Sequence, residues 1–354
     1  MQRLRMQGFF AALIAASLAA CSQSGTPDVP TEAAATAAIP TAAPTPEPFA
    51  LLIAPEAPES AAVLSAVRAV EDFAAQQGWM LRRVTPGEEI FSGDGLGDPG
   101  LVAAVGSGSG QALSDAAQSR PNVRFIAVEE AGVAPLPNLL VVGGKNFRRD
   151  QAAFMAGLLV SIENSNDYVG WIGEAGTDRG KIYQNGFRHG VRYTCPRCRV
   201  FDFELAESAD SSAGVSAAGQ LLDDYIDTAS AIPGAAGDAA LATLAGNGVR
   251  VAGAGPDFFA GVFEGGTAPE AGRVLGEVAF RPDLLLAELL PRFLAGESFA
   301  EPVAYSLENG GLEYAPFPND WISAARRNYL NDILAEVASG RLDIGVDPQT
   351  GEER

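Results

Sequence analysis

"LVAAVGSGSGQALSDAAQSRPNVRFIAVE", residues 101–129, decides the fold. Residues 101–106 are a short apolar run, which reads as a buried strand. A glycine-serine turn follows, and the spacing then predicts a helix from about Gln111 to Ser119. "RFIAVE" (124–129) is a second apolar run. A helix between two such runs carries the chain back to its starting edge, so the strands lie parallel.

The pattern extends both ways. Upstream, "FALLIA" (49–54) and "WMLRRV" (79–84) read as strands around a helix over 60–77, where Val63, Val67, Val70 and Phe73 recur at helical spacing and Gly78 stops it. Downstream, "NLLVVGG" (138–144) is another strand. The alternation then restarts. Helices are expected over 150–162, 181–193, 211–225 and 238–246, with strands at 168–173, 199–205, 228–233 and 249–254. Pro282 opens a helix over 283–294. "PVAYSLENGGLEYAP" (302–316) reads as a hairpin across Asn309-Gly310, before a closing helix over 321–337. The expected fold is α/β: two doubly wound Rossmann-like lobes with a central cleft.

Composition limits the function classes. The chain has 354 residues, 47% of them hydrophobic and 19% charged, as in globular proteins. Its 44 acidic against 24 basic residues leave a net charge of −20 and no basic stripe for a nucleic-acid partner. Arg3 and Arg5 precede an apolar run from Gly8 to Ala20 that is short for a bilayer span and suits a signal peptide. Leu18-Ala19-Ala20-Cys21 resembles a bacterial lipobox, so residues 1–21 are expected to be a lipoprotein signal with Cys21 lipidated. Residues 22–48 are rich in Pro, Thr and Ala and read as a disordered tether. The expected location is exported, lipid-anchored to the outer face of the cell membrane or facing the periplasm.

In doubly wound sheets, ligands bind beyond the carboxyl ends of the strands. Three glycine-bearing loops fall there: "VGSGSGQ" with Ser107 and Gly108, "WIGEAGTDRG" with Gly173 and Glu174, and "IPGAAGDAA" with Gly234 and Asp238. Their backbone N–H groups favour an oxygen-rich or anionic group.

At this point the residues resemble a family. "VVGGKNFRRDQAAFMAGLLVSI", "YVGWIGEAGTDRGKIYQNGFRHGVRYTCP", "GAAGDAALATLAGNGVRVAGAGPD" and "AYSLENGGLEYAPF" are similar, in this order, to the basic membrane protein family of ABC-importer lipoproteins, which includes purine nucleoside receptors. The likeness runs from about Leu101 to Phe317. It implies a type I periplasmic-binding-protein fold, a small-molecule solute of nucleoside or purine type, an ABC permease as partner, a monomer, no cofactor, no metal and no catalysis. It places lobe one at 49–146 plus 258–300 and lobe two at 147–257 plus 301–354.

The departures bear on the ligand. The family's Asp-x-Ser-Phe-Asn motif after the first strand is absent from "APEAPESAAVL" (54–64). The family's ribose-binding Asp is Gly255, a second Asp survives as Asp257, a family Lys is Phe280 and a family Glu is Gln151. Sites that recognise hydroxyls through such groups lose that recognition without them.

Individual residues carry two readings each. Phe147 offers an aromatic face to a flat solute or packs the lobes together. Tyr183 is expected to line the cleft, Trp171 to be core, and Lys181 to be a cleft cation or a solvated residue. Phe258, after Asp257, replaces polar contacts with apolar ones. Asp238 accepts from a solute or caps a helix. Cys195 and Cys198 fit a structural disulfide in an exported protein better than a redox pair or a zinc site. His189, the single histidine, reads as a surface residue. No nucleophile elbow, His-Glu-x-x-His or P-loop appears, which leaves an enzyme little footing. Two alternatives stay open: an anchored sensory or structural receptor of the same fold, and a thiol oxidoreductase using Cys195 and Cys198.

Overall fold

The computed structural model describes residues 48–57, 60–87, 91, 96–207, 209–316 and 321–354. The signal segment, Cys21 and nearly all of the tether lie outside the described residues. Among the described residues, no helix is long and apolar enough to cross a membrane.

Two six-stranded sheets form the fold. The first holds β1 (Phe49–Ile53), β2 (Met80–Val84), β3 (Leu101–Val105), β4 (Arg124–Val128), β5 (Leu139–Phe147) and β11 (Val303–Tyr305), in the order β2-β1-β3-β4-β5-β11, all parallel. The second holds β6 (Tyr168–Glu174), β7 (Arg199–Leu205), β8 (Thr228–Ala231), β9 (Arg250–Gly253), β10 (Val274–Phe280) and β12 (Leu312–Pro316), in the order β7-β6-β8-β9-β10-β12. The winding is therefore the same in both, except that β12 runs antiparallel to β10. The helices are α1 (Ala61–Gln76), α2 (Gly110–Ser119), α3 (Arg149–Ile162), α4 (Asp178–Thr194), α5 (Ser211–Asp223), α6 (Ala235–Gly246), α7 (Phe258–Val262), α8 (Pro282–Leu294) and α9 (Ala324–Ala338).

Local chemistry explains the elements. β3 is apolar throughout and buried throughout, as a central parallel strand must be. The Ser60 hydroxyl caps α1 by accepting from the Ala62 and Val63 amides, and its apolar stripe (Val63, Val67, Val70, Phe73) is buried. The α3 sequence is apolar on nearly all sides, and the helix is correspondingly buried from Asp150 to Ser161.

Two expectations are corrected. The hairpin over 302–316 does not exist: β11 pairs with β5 in the first sheet, and β12 pairs with β10 in the second. Asn309-Gly310 is a crossover between lobes, closed by the Asn309 side chain accepting from the Ser306 and Gly311 amides. The lobe boundaries shift accordingly. The stretch 258–280 ends in β10 and belongs to the second lobe, so the return crossing falls at Phe280–Arg281 instead of 258; Val303–Tyr305 belongs to the first lobe.

Two of the three crossings, the first outward one and the return, repeat one motif, Phe-Arg-x-Asp. In Phe147–Asp150, Arg148 donates from Nε and Nη2 to both Asp150 oxygens, at 2.8 and 2.6 Å. In Phe280–Asp283, Arg281 does the same to Asp283, at 2.9 and 2.7 Å. Each arginine also reaches a glutamate on the third crossing, Glu308 at 3.2 Å and Glu313 at 2.6 Å. Their backbone amides donate to the Tyr305 and Gly311 carbonyls, both at 2.9 Å. The Phe147 and Phe280 rings meet at 5.0 Å. The three strands between the lobes are thus bound into one hinge.

Candidate solute site

A cavity of about 1040 Å³ opens at the carboxyl ends of β8 and β9. It is the size and place at which α/β folds bind small molecules. The second lobe supplies Pro233, Gly234 and Asp238 after β8, the stretch from Gly253 to Phe258 after β9, and Arg179 and Tyr183 on α4. The first lobe contributes Lys145 and Phe147 from the end of β5, and Arg149 follows at the start of α3.

Six of the expected site residues meet there: Phe147, Tyr183, Gly234, Asp238, Asp257 and Phe258. The others do not. Ser107 and Gly108 line a separate shallow pocket, and the Ser107 amide and hydroxyl both donate to Glu130, at 2.5 and 2.6 Å. Gly173 and Glu174 border a small neighbouring pocket of about 90 Å³. Gln151 is fully buried in the hinge, donating to Glu308 and accepting from the Leu307 amide. Lys181 points to an ion pair with Glu352. His189 is half-buried at the surface: its Nδ1 lies 2.6 Å from the Ile344 carbonyl, which can only accept, so Nδ1 is the donor there. Trp171 is core, fully buried and stacked on Phe187 at 4.4 Å. Cys195 and Cys198 are joined as a disulfide at the carboxyl end of α4, away from the cavity lining.

Sequence reasoning missed three cations in the wall: Lys145, Arg149 and Arg179. Arg179 is held by Glu174 at 2.5 Å and donates to the Pro233 carbonyl at 2.6 Å. Its guanidinium lies over the Tyr183 ring, 5.6 Å from the centroid, and Arg149 lies over Phe147 at 5.1 Å. Burial pushes the Tyr183 hydroxyl up to about 12, against the pull of both arginines. The only trace of Lys145 in the sequence was its place after Gly143-Gly144, at the end of an apolar run.

The carboxylates differ in setting. Burial raises Asp238 to about 6, with the Gly234 backbone pulling the other way. Asp257 sits at φ 58° and accepts from the Ala61 amide of α1 at 2.9 Å, across the lobes. Glu129 in the first lobe and Glu277 in the second are both raised, chiefly by burial, and the Asp257 charge adds to each shift.

Residues 98–257 match a family model described as Bmp, ABC transporter substrate-binding protein PnrA-like. The matched stretch, a little under half of the chain, is similar to that family. The chain is also 23% identical, over 137 residues, to Basic membrane protein A1 of Borrelia garinii subsp. bavariensis, a stretch covering 38% of this chain and 40% of that protein. The chain thus spans about two fifths of the length of the curated relative it matches. Among solved structures, an ABC transporter solute-binding protein from Conexibacter woesei superposes with a TM-score of 0.61 at 16% identity, covering 83% of this chain and 98% of that one. A transcriptional activator of the comK gene from Bacillus halodurans gives 0.60 at 14% identity, covering 83% and 99%. These likenesses establish the fold: two parallel-rich sheets with interleaved helices, as in solute-binding proteins.

The Bmp departures now have physical reasons. A Cβ at Gly255 would lie 2.7 Å from Pro233 Cγ, so the proline ring occupies the place an aspartate would need. Phe280, where the family has a lysine, packs on Phe147 and on Tyr305 at 4.6 Å. Phe147, Phe280 and Tyr305 thus form an aromatic cluster at this corner.

Proposed function

We propose that this protein is the lipid-anchored, extracytoplasmic solute-binding component of an ABC importer, and that it closes its two lobes on a small molecule of nucleoside or purine type. Cys21 is the lipid attachment point and residues 22–48 the tether. The single observation that carries the reading is the cavity at the carboxyl ends of β8 and β9, reached by Phe147 from the other sheet. Phe147 offers a flat apolar face, backed by Phe280, against which a ring can stack. Asp238 and the amides of the loop after β8 accept and donate around it. Lobe closure follows solute because the solute touches residues of both lobes only when they approach.

A second reading keeps the site and changes the partner, an anchored receptor that signals without transport. The direct bond between Asp257 and Ala61 favours it, because closure then has a contribution independent of solute.

The test is a thermal-shift screen of the full chain against nucleosides, bases, sugars and amino acids. A solute at about 100 times its Kd adds roughly 2.7 kcal/mol to stability by mass action. A hit among nucleosides or bases supports the proposed ligand class, and a screen without any hit overturns the solute-binding reading. Uptake of the hit in cells lacking this chain separates transport from signalling.

A further inference from the structure

β5 does not end as a regular strand. Gly143, Gly144 and Lys145 take φ of 69°, 64° and 82° in succession, all left-handed. Pairing with β11 slips here, from Val142↔Val303 to Phe147↔Tyr305. The two glycines are required by contact as well as by φ: a Cβ at 143 would lie 2.2 Å from a Glu129 carboxylate oxygen, and one at 144 would lie 2.2 Å from the Glu130 carbonyl. Lysine has no such excuse. A non-glycine residue at φ 82° is strained, and such strain persists where the surroundings impose it and gathers at binding sites. The bulge sets Lys145 in the cavity wall.

Arg149 stands beside it. Its Nη2 donates to the Lys145 carbonyl at 3.1 Å and its plane covers Phe147, which fixes the guanidinium. Among the described residues, neither Lys145 nor Arg149 has a carboxylate within ion-pair distance, whereas Arg179 is engaged by Glu174. Two unneutralised cations in a cavity wall stand out in a chain of net charge −20. The cavity's own carboxylates are committed or weakened: Asp257 accepts from Ala61, and Asp238 is partly buried in the first turn of α6.

We propose that the cleft selects an anionic solute, whose negative group is held by Lys145 and Arg149 while its body lies against Phe147. This rests on the solute-binding reading above and names the charge class of the ligand. Arg149 supplies paired donors for a carboxylate or phosphate, and Lys145 a point charge. Asp238 remains for a hydroxyl or amine on the same molecule.

The test uses the full chain and matched neutral and anionic probes: adenosine with adenosine 5′-monophosphate, ribose with ribose 5-phosphate, and glycerol with glycerol 3-phosphate. Calorimetry is run on the wild type, Lys145→Gly and Arg149→Gln. At least one anionic probe should bind about tenfold or more tighter than its neutral partner, and raising salt should weaken it. Both substitutions should erase that preference. Lys145→Gly should also raise Tm by about 2 °C or more, because glycine relieves the φ strain; a merely structural lysine would not couple a gain in stability to a loss of anion affinity. If neutral probes bind as tightly as anionic ones, or the preference survives both substitutions, the anion assignment is overturned and solute binding stands. If no probe of either kind binds, both fall.

Discussion

The Asp257 carboxylate of the second lobe accepts the Ala61 amide of the first at 2.9 Å, so the lobes are bonded across the cleft at the amino end of α1. That helix end carries a partial positive charge and suits an anion. Here Asp257 supplies the carboxylate from the opposite lobe. Replacing Asp257 with Ala removes roughly 1 kcal/mol of closure, about a fivefold shift toward open lobes. Small-angle scattering should report a larger radius of gyration, and the α1 amides should exchange faster. Asp257→Asn keeps an acceptor and should lie between the two. An unchanged scattering profile in Asp257→Ala would remove this bond from the closure mechanism.

The repeated hinge motif makes an asymmetric prediction. Asp150 is fully buried beneath Arg148, whereas Asp283 is about a third exposed beside Arg281. Arg148→Ala strands a buried charge and should cost about 3–5 kcal/mol. Arg281→Ala leaves a solvated carboxylate and should cost about 1 kcal/mol or less. Thermal unfolding of the two variants checks the order, and equal losses would contradict it.

Asp238 fixes a pH dependence. Its folded pKa of about 6 lies above the ordinary value of 3.8, so the folded state binds the proton more tightly. Ionisation then costs stability: the penalty is full above about pH 6, shrinks as pH falls through that value, and is gone below 3.8. Asp238→Asn should raise stability at pH 7 by on the order of 1–2 kcal/mol, allowing for its partial exposure, and by little at pH 4. Glu129 and Glu277 shift in the same direction, so the measurement is the difference between wild type and variant across pH 4–7.

The disulfide at Cys195–Cys198 closes a short loop at the far end of α4, and its loss should cost about 2 kcal/mol or less. Replacing both cysteines with serine should leave solute affinity unchanged. A lost affinity, or free thiols in the oxidised protein, would reopen a redox role.

The β-α-β alternation was legible because buried parallel strands read as apolar runs and their helices as amphipathic repeats. The errors came where local signals met tertiary pairing. Asn309-Gly310 is a strong hairpin dipeptide, yet β11 and β12 each complete a different sheet. β10 was hidden by Gly276 and Glu277, which break its apolar run; the glycine is needed because a Cβ there would lie 2.2 Å from the Tyr314 ring. Phe147, Asp238 and Asp257 drew attention by their place at strand ends and Tyr183 by the resemblance, and all four line the cavity. Lys145 drew none, because a bulge of three left-handed residues has no periodicity to read. Arg149 and Arg179 stand in the first turns of α3 and α4, where a charged side chain carries no signal that separates a cavity wall from a solvated face.

The central claim is that solute occupies the cavity after β8 and β9. Gly261 lines it, and a Cβ there meets nothing within 4 Å, so Gly261→Trp places a ring in open space without a clash at the backbone. The decisive measurement is calorimetric titration of a screened solute into the wild type and into Gly261→Trp, with circular dichroism verifying the fold of both. Binding should fall at least about tenfold in the variant while the fold persists. Equal affinity in the two proteins would place the solute elsewhere and contradict the account.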